Sequence, residues 1–398
     1  MKIIQVERAA KVEGTVAVPG SKNGSLALLA AACMADEPVT LHGVPDIADV
    51  RLICRLSEEI GCVIERDPSG GLKVDPSHIH TAELDPIKTS SYRASYYFIG
   101  ALLAKFGRVS IGYPGGDDFV SRPIDQHLKM FRMLGANIVF HRDRFEVSAE
   151  RLKGAVIYFD TVTFGATING MLAAALAEGE TVLLNAARDP EVTDTAILLN
   201  RMGARITGAG TDTIRIRGVR RLHGTAHTVI PDRLIAGAFL MAPGMVGGSV
   251  TVRDVIPEHL QSCLAKLREM GLEFDVGDNA ITSSSDGKLR AVRVRTGMYP
   301  GFATDLQQPL TALLTQAPGR SIVSERIYPH RFSHVKQLEK MGANIRVRSG
   351  VALISGPCRL KGAFVHASDI RAGICLILAG LAAEGRTMIA GVHHLERG

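Results

Sequence analysis

Leu172-Ala-Ala-Ala-Leu-Ala-Glu-Gly-Glu-Thr-Val-Leu-Leu184 returns near the end of the chain as Leu378-Ala-Gly-Leu-Ala-Ala-Glu-Gly-Arg-Thr-Met-Ile389. Each reads as an apolar helix, a turn at an acid and a glycine, and then a strand. Looser copies are Leu29-Ala-Ala-Ala-Cys-Met-Ala-Asp-Glu-Pro-Val-Thr-Leu41 and Phe239-Leu-Met-Ala-Pro-Gly-Met-Val-Gly-Gly-Ser-Val-Thr-Val252. A second phrase alternates with the first: Leu134-Gly-Ala-Asn-Ile138, Met202-Gly-Ala-Arg-Ile206, Met270-Gly-Leu-Glu-Phe274 and Met341-Gly-Ala-Asn-Ile345, with Ile60-Gly-Cys-Val-Ile64 as a variant. Its glycines, Gly61, Gly135, Gly203, Gly271 and Gly342, follow helical patterns and precede strand-like alternation. That is the place for a left-handed cap between a helix and a strand. Counting the first phrase gives six units of the form β-α-β-α-β-β. The period is too long for a solenoid and suits a duplicated globular unit, three per domain in a two-domain α/β protein. The spacing carries the next Gly-Ala phrase past Gly398, so the sixth unit is expected to be incomplete, short of a helix and a strand.

The composition is that of a water-soluble globular chain, with 46% hydrophobic and 22% charged residues. Apolar runs such as Leu26–Ala35 and Ile374–Ala383 are too short to span a bilayer and read as core helices. The N-terminal Met-Lys-Ile-Ile-Gln-Val-Glu begins like a strand, and a cytoplasmic location is the default expectation. Cys33, Cys54, Cys62, Cys263, Cys358 and Cys375 form no CxxC pair and no metal-ligand spacing, so free thiols and no metal are expected. The net charge of +6, with 5% aromatics and no Trp, suits a small anionic substrate better than nucleic acid.

Three segments carry possible chemistry. Val18-Pro-Gly-Ser-Lys-Asn-Gly24 places a lysine, Lys22, and helix-start amides at one strand-to-helix turn, an anion cradle unless it is an ordinary turn. It is not a Walker A loop. Tyr113-Pro-Gly-Gly-Asp-Asp-Phe-Val-Ser-Arg-Pro-Ile-Asp-Gln-His127 reads as a polar loop, either plain surface or a lid over a ligand. Phe302-Ala-Thr-Asp305 puts Asp305 at a helix start, where N-capping competes with catalysis; the same alternative holds for Asp232 and Asp369.

Taken together with Tyr92-Arg-Ala-Ser95, Phe164-Gly-Ala-Thr167, Ala186-Ala-Arg-Asp-Pro-Glu191, Arg331-Phe332, Asp369-Ile-Arg371 and Glu396-Arg-Gly398, these segments resemble one family in register from Gln5 onward. It is the UDP-N-acetylglucosamine enolpyruvyl transferases of bacterial peptidoglycan synthesis. Asn23 separates the chain from the sister family acting on shikimate phosphate, which usually has Ser there. The resemblance implies a two-domain inside-out α/β barrel, with residues 22–229 as one lobe and residues 1–21 plus 230–398 as the other. It also implies an active site in the cleft between the lobes, closed by the 113–122 loop.

The resemblance assigns Lys22, Arg122 and Arg397 to the anionic groups of phosphoenolpyruvate, with Arg93, Arg331 and Arg371 in support. Asp305 matches the carboxylate that takes the proton of the attacking sugar hydroxyl. The nucleotide is expected against Arg122, Pro123, Ile124, Asp125, Thr163, Phe164 and Gly165, with Asn23 and Ile327 toward the sugar. Asp117 stands where many members carry the cysteine that acts as general acid and that fosfomycin alkylates; Asp118 adjoins it, and the choice between the two stays open. No cofactor is implied, the partners are phosphoenolpyruvate and UDP-N-acetylglucosamine, and the expected state is a monomer. Pro329, His330 and Phe164 depart from the family's usual residues. They keep open a paralogue that enolpyruvylates UMP, or a catalytically silent nucleotide-binding one.

Overall fold

Strands β1 (Ile4–Glu7) and β2 (Val12–Ala17) open the chain in a computed structural model that describes residues 2–67, 70–91, 93–113, 115 and 123–398. The first repeat follows as α1 (Lys22–Ala32), β3 (Val39–His42), α2 (Ala48–Glu59), β4 (Val63–Arg66) and β5 (Leu72–Asp75). The second holds α3 (Pro86–Ser91), α4 (Tyr97–Phe106), β6 (Arg108–Gly112), α5 (Asp125–Met133), β7 (Asn137–Phe140) and β8 (Arg144–Ser148). The third holds β9 (Val156–Tyr158), α6 (Phe164–Ala175), β10 (Glu180–Leu184), α7 (Pro190–Arg201), β11 (Arg205–Thr207) and β12 (Thr213–Arg217). After β13 (Ala226–Thr228), the fourth runs α8 (Arg233–Val246), β14 (Gly248–Arg253), α9 (Gln261–Met270), β15 (Glu273–Val276) and β16 (Ala280–Ser285). The fifth is β17 (Arg293–Arg295), α10 (Gln307–Leu314), β18 (Gly319–Ser324), α11 (Ser333–Lys340), β19 (Asn344–Arg348) and β20 (Val351–Gly356). The sixth is β21 (Phe364–His366), α12 (Ile370–Ala382), β22 (Arg386–Ala390) and the short α13 (Val392–Leu395).

Contacts divide the chain into two units, residues 20–230 and residues 1–19 with 231–398. In each, three helices form the centre and the sheets lie outside. α4 packs on both α1 and α6 in the first unit, and α8, α10 and α12 pack on one another in the second. Their sequences are apolar all round, as central helices require; in α1 every residue but Asn23 is buried. Small residues let the axes close up. A Cβ at Gly100 of α4 would meet the Asn169 carbonyl of α6 at 2.6 Å. Outer helices such as α2 bury one stripe, including Leu52, Ile53 and Leu56. Each fully buried Leu or Ile contributes about 1.5–3 kcal/mol.

The repeating glycines do what their position predicts. Gly61, Gly135, Gly203, Gly271 and Gly342 have φ of 113°, 92°, 101°, 104° and 97°, the left-handed region that only glycine enters cheaply. The repeat's sheet is seen whole in the order β17-β18-β20-β19, with β17 and β18 parallel and β20 antiparallel to both β18 and β19. Two sheets borrow their first strand: β13 completes β3-β5-β4, and β2 completes β14-β16-β15.

The sixth repeat is incomplete, as expected, and one of its strands is supplied by the start of the chain. β1 lies antiparallel on β22, Ile4 opposite Ile389, in the place that β20 takes on β18. The unpaired amides of β22 would otherwise form an open sheet edge, and the other end of the chain covers them. Among the described residues the sixth sheet is three-stranded, and α13 stands where the other repeats have a longer helix.

Candidate active site

In the unit of residues 1–19 and 231–398, three of the expected residues converge. Asp305 sits inside a 3-10 turn (Thr304–Leu306) that leads into α10, and Ala303, not Asp305, is the cap residue. Its carboxylate faces two guanidiniums: Arg331 Nη1 donates to Oδ1 at 2.6 Å, and Arg371 Nε donates to Oδ2 at 3.4 Å. The arginine side chains are 6% exposed and the Asp305 side chain 27%, so solvent reaches the carboxylate and not its partners. Burial works against the charge of Arg331, but the adjacent Asp305 outweighs it and raises the guanidinium above its ordinary value. Arg371 Nη1 is buried without a hydrogen-bond partner among the described residues.

Asp369 and Asp232 are helix caps, the blander of their two readings. Asp369 Oδ1 accepts from the amides of Arg371 and Ala372, and Asp232 Oδ1 accepts from those of Leu234 and Ile235. Asp369 still bears on the site, because its cap sets the turn from which Arg371 projects. Ile327 is half-buried in the loop after β18, with its amide donating to Glu325. Arg397 follows α13, its amide donating to the His394 carbonyl at 3.2 Å.

Glu325, absent from the sequence reading, is the hub of this group. Buried at the end of β18, its Oε1 accepts from Thr296 Oγ1 and the amides of Ile327 and Tyr328, and its Oε2 accepts from Thr304 Oγ1. It thereby ties the turn bearing Asp305 to the loop leading to Arg331. One acid at a strand end gives no sequence signal of that. His334 was also missed: it is fully buried, both ring nitrogens lack partners among the described residues, and burial pushes its pKa down to about 3.

The unit of residues 20–230 carries the rest. Lys22 opens α1 with its ammonium 2.8 Å from Asp49 Oδ2, both buried, and Ser21 caps the helix by accepting from the Gly24 amide. Asn23, beside Lys22, is half-buried. The helix after Pro123 and Ile124 contacts the segment leading into α6. Gln126 Oε1 accepts from the Asp160 amide at 2.9 Å, and its Nε2 donates to Asp125 and Asp160. His127 lies against the first turn of α6, 2.9 Å from where a Cβ on Gly165 would be. α5, which starts at Asp125, thus packs beside α6, which starts at Phe164. Arg93 joins them, Nη2 donating to the Pro123 carbonyl at 3.3 Å. Burial holds His127 neutral, with a pKa near 3. Asp117, Asp118 and Arg122 lie outside the described residues. Among the described residues no cluster of His, Cys, Asp and Glu is placed to hold a metal, and no helix is long and apolar enough to cross a membrane.

The profile of the EPSP synthase (3-phosphoshikimate 1-carboxyvinyltransferase) family matches residues 6–398. The chain belongs to that family. Within it, UDP-N-acetylglucosamine 1-carboxyvinyltransferase 2 of Geobacillus kaustophilus (strain HTA426) is 48% identical over 398 residues, covering 100% of this chain and 92% of that protein. The protein of the same name from Bacillus subtilis (strain 168) is 47% identical, covering 100% and 93%. Among solved structures, the enolpyruvyl transferase NikO from Streptomyces tendae superposes with a TM-score of 0.90 at 27% identity, over 100% of this chain and 94% of that one. An EPSP synthase from Acinetobacter baumannii gives 0.73 at 18% identity, over 99% and 95%, a likeness of fold alone. The inside-out α/β architecture is therefore the family's own.

Proposed function

We propose that the chain is a UDP-N-acetylglucosamine 1-carboxyvinyltransferase, moving the enolpyruvyl group of phosphoenolpyruvate to the sugar 3-hydroxyl and releasing phosphate. The observation that carries this is the 48% identity, along the whole chain, to a relative of that name. In the reaction the hydroxyl oxygen bonds to C2 of phosphoenolpyruvate while its methylene carbon gains a proton. The adduct's new methyl group then loses a proton as the C–O bond to phosphate breaks. Asp305, open to solvent on one side and fixed by Arg331 and Arg371 on the other, takes the hydroxyl proton. Lys22, Arg122 and Arg397 neutralise the phosphate and carboxylate of phosphoenolpyruvate, and Asp117 delivers the methylene proton. The nucleotide runs along Arg93, Pro123–Asp125 and Thr163–Gly165, with Asn23 and Ile327 at the sugar. Both substrates are metabolites of the cytoplasm, so the protein works there, at the start of peptidoglycan synthesis and hence of cell shape and division.

The test is phosphate release from phosphoenolpyruvate with UDP-N-acetylglucosamine and, separately, with UMP. Release with the amino-sugar nucleotide is expected. Release with UMP alone moves the assignment to the UMP-specific reading, and release with neither, in protein shown to bind nucleotide, leaves a silent binding protein.

A further inference from the structure

The outer faces of the sheets differ in charge. Glu65 faces Lys73 at 3.6 Å, Glu7 faces Arg386 at 3.0 Å, and Arg144 lies 3.8 Å from Glu146. Arg215, with Arg205 and Arg217 around it, has Glu180 at 3.5 Å. The β17-β18-β20-β19 sheet breaks this pattern. Its inner residues, Val294, Val323, Ile345, Ala352 and Ile354, are buried, so the alternate positions face outward. There the register makes two cross-strand rows, Arg293–Ile322–Leu353–Arg346 and Arg295–Ser324–Val351–Arg348, with Arg320 beside Ser355 in a third. All five arginines are exposed, no acidic residue stands at these outward positions, and no ion pair forms to any of them among the described residues. The whole chain has a net charge of +6, so one sheet face concentrates most of its excess.

We propose that this face docks an acidic amphipathic helix of a partner protein. Like charges on one sheet face repel, which an external anion relieves. Protection of the edge strands β17 and β19 would be served by charge of either sign and does not account for Arg320 on the inner strand β18. The dimensions fit a helix. Three inter-strand spacings separate β17 from β19 by about 14 Å, and a helix with its side chains is about 10–12 Å across. Lying along the strands, it sets an apolar stripe on Ile322, Leu353 and Val351, with carboxylates on both flanks. Carboxylates four residues apart rise about 6 Å, close to the roughly 6.6 Å between Arg293 and Arg295 or between Arg346 and Arg348 on their strands. Arginine, whose planar fork binds a carboxylate through two hydrogen bonds, suits those flanks better than lysine. Nucleic acid fits less well, since no aromatic side chain faces outward to stack bases. A membrane fits less well because the stripe has no aromatic anchor.

The probe is a synthetic helical peptide with a leucine stripe between two glutamate flanks, titrated calorimetrically onto the full-length protein. A peptide of the same composition in scrambled order, phosphatidylglycerol vesicles and a duplex oligonucleotide are run beside it. The patterned peptide is expected to bind at least about tenfold tighter than the scrambled one, more weakly at high salt, and to slow amide exchange in β17–β20. Reversing charge with Arg293→Glu and Arg346→Glu, or independently with Arg295→Glu and Arg348→Glu, is expected to cost about tenfold or more without lowering the thermal midpoint. Equal binding of the scrambled peptide overturns the proposal. So does undiminished binding by both folded variants, or tighter binding of vesicles or duplex than of the patterned peptide at this face.

Discussion

Asp305 and Glu325 are acids of one small region with opposite prospects on mutation. Asp305 meets solvent and two guanidiniums; Glu325 meets only protein donors. Asp305→Ala is expected to lower turnover by about two to three orders of magnitude, the scale of a lost general base, while nucleotide binding persists. Stability falls too, since two buried cations lose their shared partner. Glu325→Gln keeps the shape and one acceptor oxygen, so turnover should drop by only about tenfold, with a stability loss of about 1–3 kcal/mol from the imperfectly paired site. Steady-state kinetics with urea unfolding of both variants checks this; equal turnover losses would deny the two residues different roles. Asp117 yields a second prediction. A carboxylate is a poor nucleophile toward an epoxide, whereas a thiolate is a good one, so the protein should resist fosfomycin and Asp117→Cys should gain a covalent adduct, read by intact mass. An adduct on the unaltered protein would overturn it. Asp305 and Arg371 could be picked out by resemblance because they sit in short local phrases. Glu325 could not, because its partners Thr296 and Thr304 are distant in sequence and only the fold assembles them.

At the scale of elements, the glycine caps and the Ala-rich central helices were legible because each rests on a rule local to a few residues. The swapped strands were not. Pairing of β1 with β22, or β13 with β3, joins segments far apart in the chain, and a four-residue strand carries no mark of its partner. The sixth repeat therefore read as lacking a strand that it obtains from elsewhere. Deleting residues 2–9 should strip that cover from β22 and remove Val6, whose side chain packs on Gly380 of α12. A lower thermal midpoint and concentration-dependent aggregation by light scattering are expected. An unchanged midpoint with a monodisperse sample would show that β1 is dispensable.

For the molecule as a whole, two buried histidines set the response to acid. Burial takes His127 and His334 from 6.5 to about 3 in the folded state. Between those values the unfolded chain binds two protons that the folded chain refuses. Stability is therefore whole above the unfolded value and falls as pH drops through the window, by about 1.4 kcal/mol per pH unit for each histidine. Urea unfolding from pH 7 down to about 4.5, where most carboxylates are still ionised, should show the slope. His127→Gln with His334→Gln should flatten it; an unchanged slope would assign the acid sensitivity to other groups.

The strand exchange at the chain ends also bears on how the protein is made. β1 leaves the ribosome long before β22, its partner. At about 5–20 residues per second, close to 380 residues of translation separate them by on the order of half a minute. Throughout that interval the leading segment has no partner, while residues 20–230, which hold β13 and every other strand of their own sheets, are already complete. Synthesis thus completes the β1-β22-β21 sheet only when β22 meets a segment made far earlier. Ribosomes stalled just before Arg386 should carry chains whose β1 segment, residues 2–9, is open to protease and whose 20–230 segment resists it.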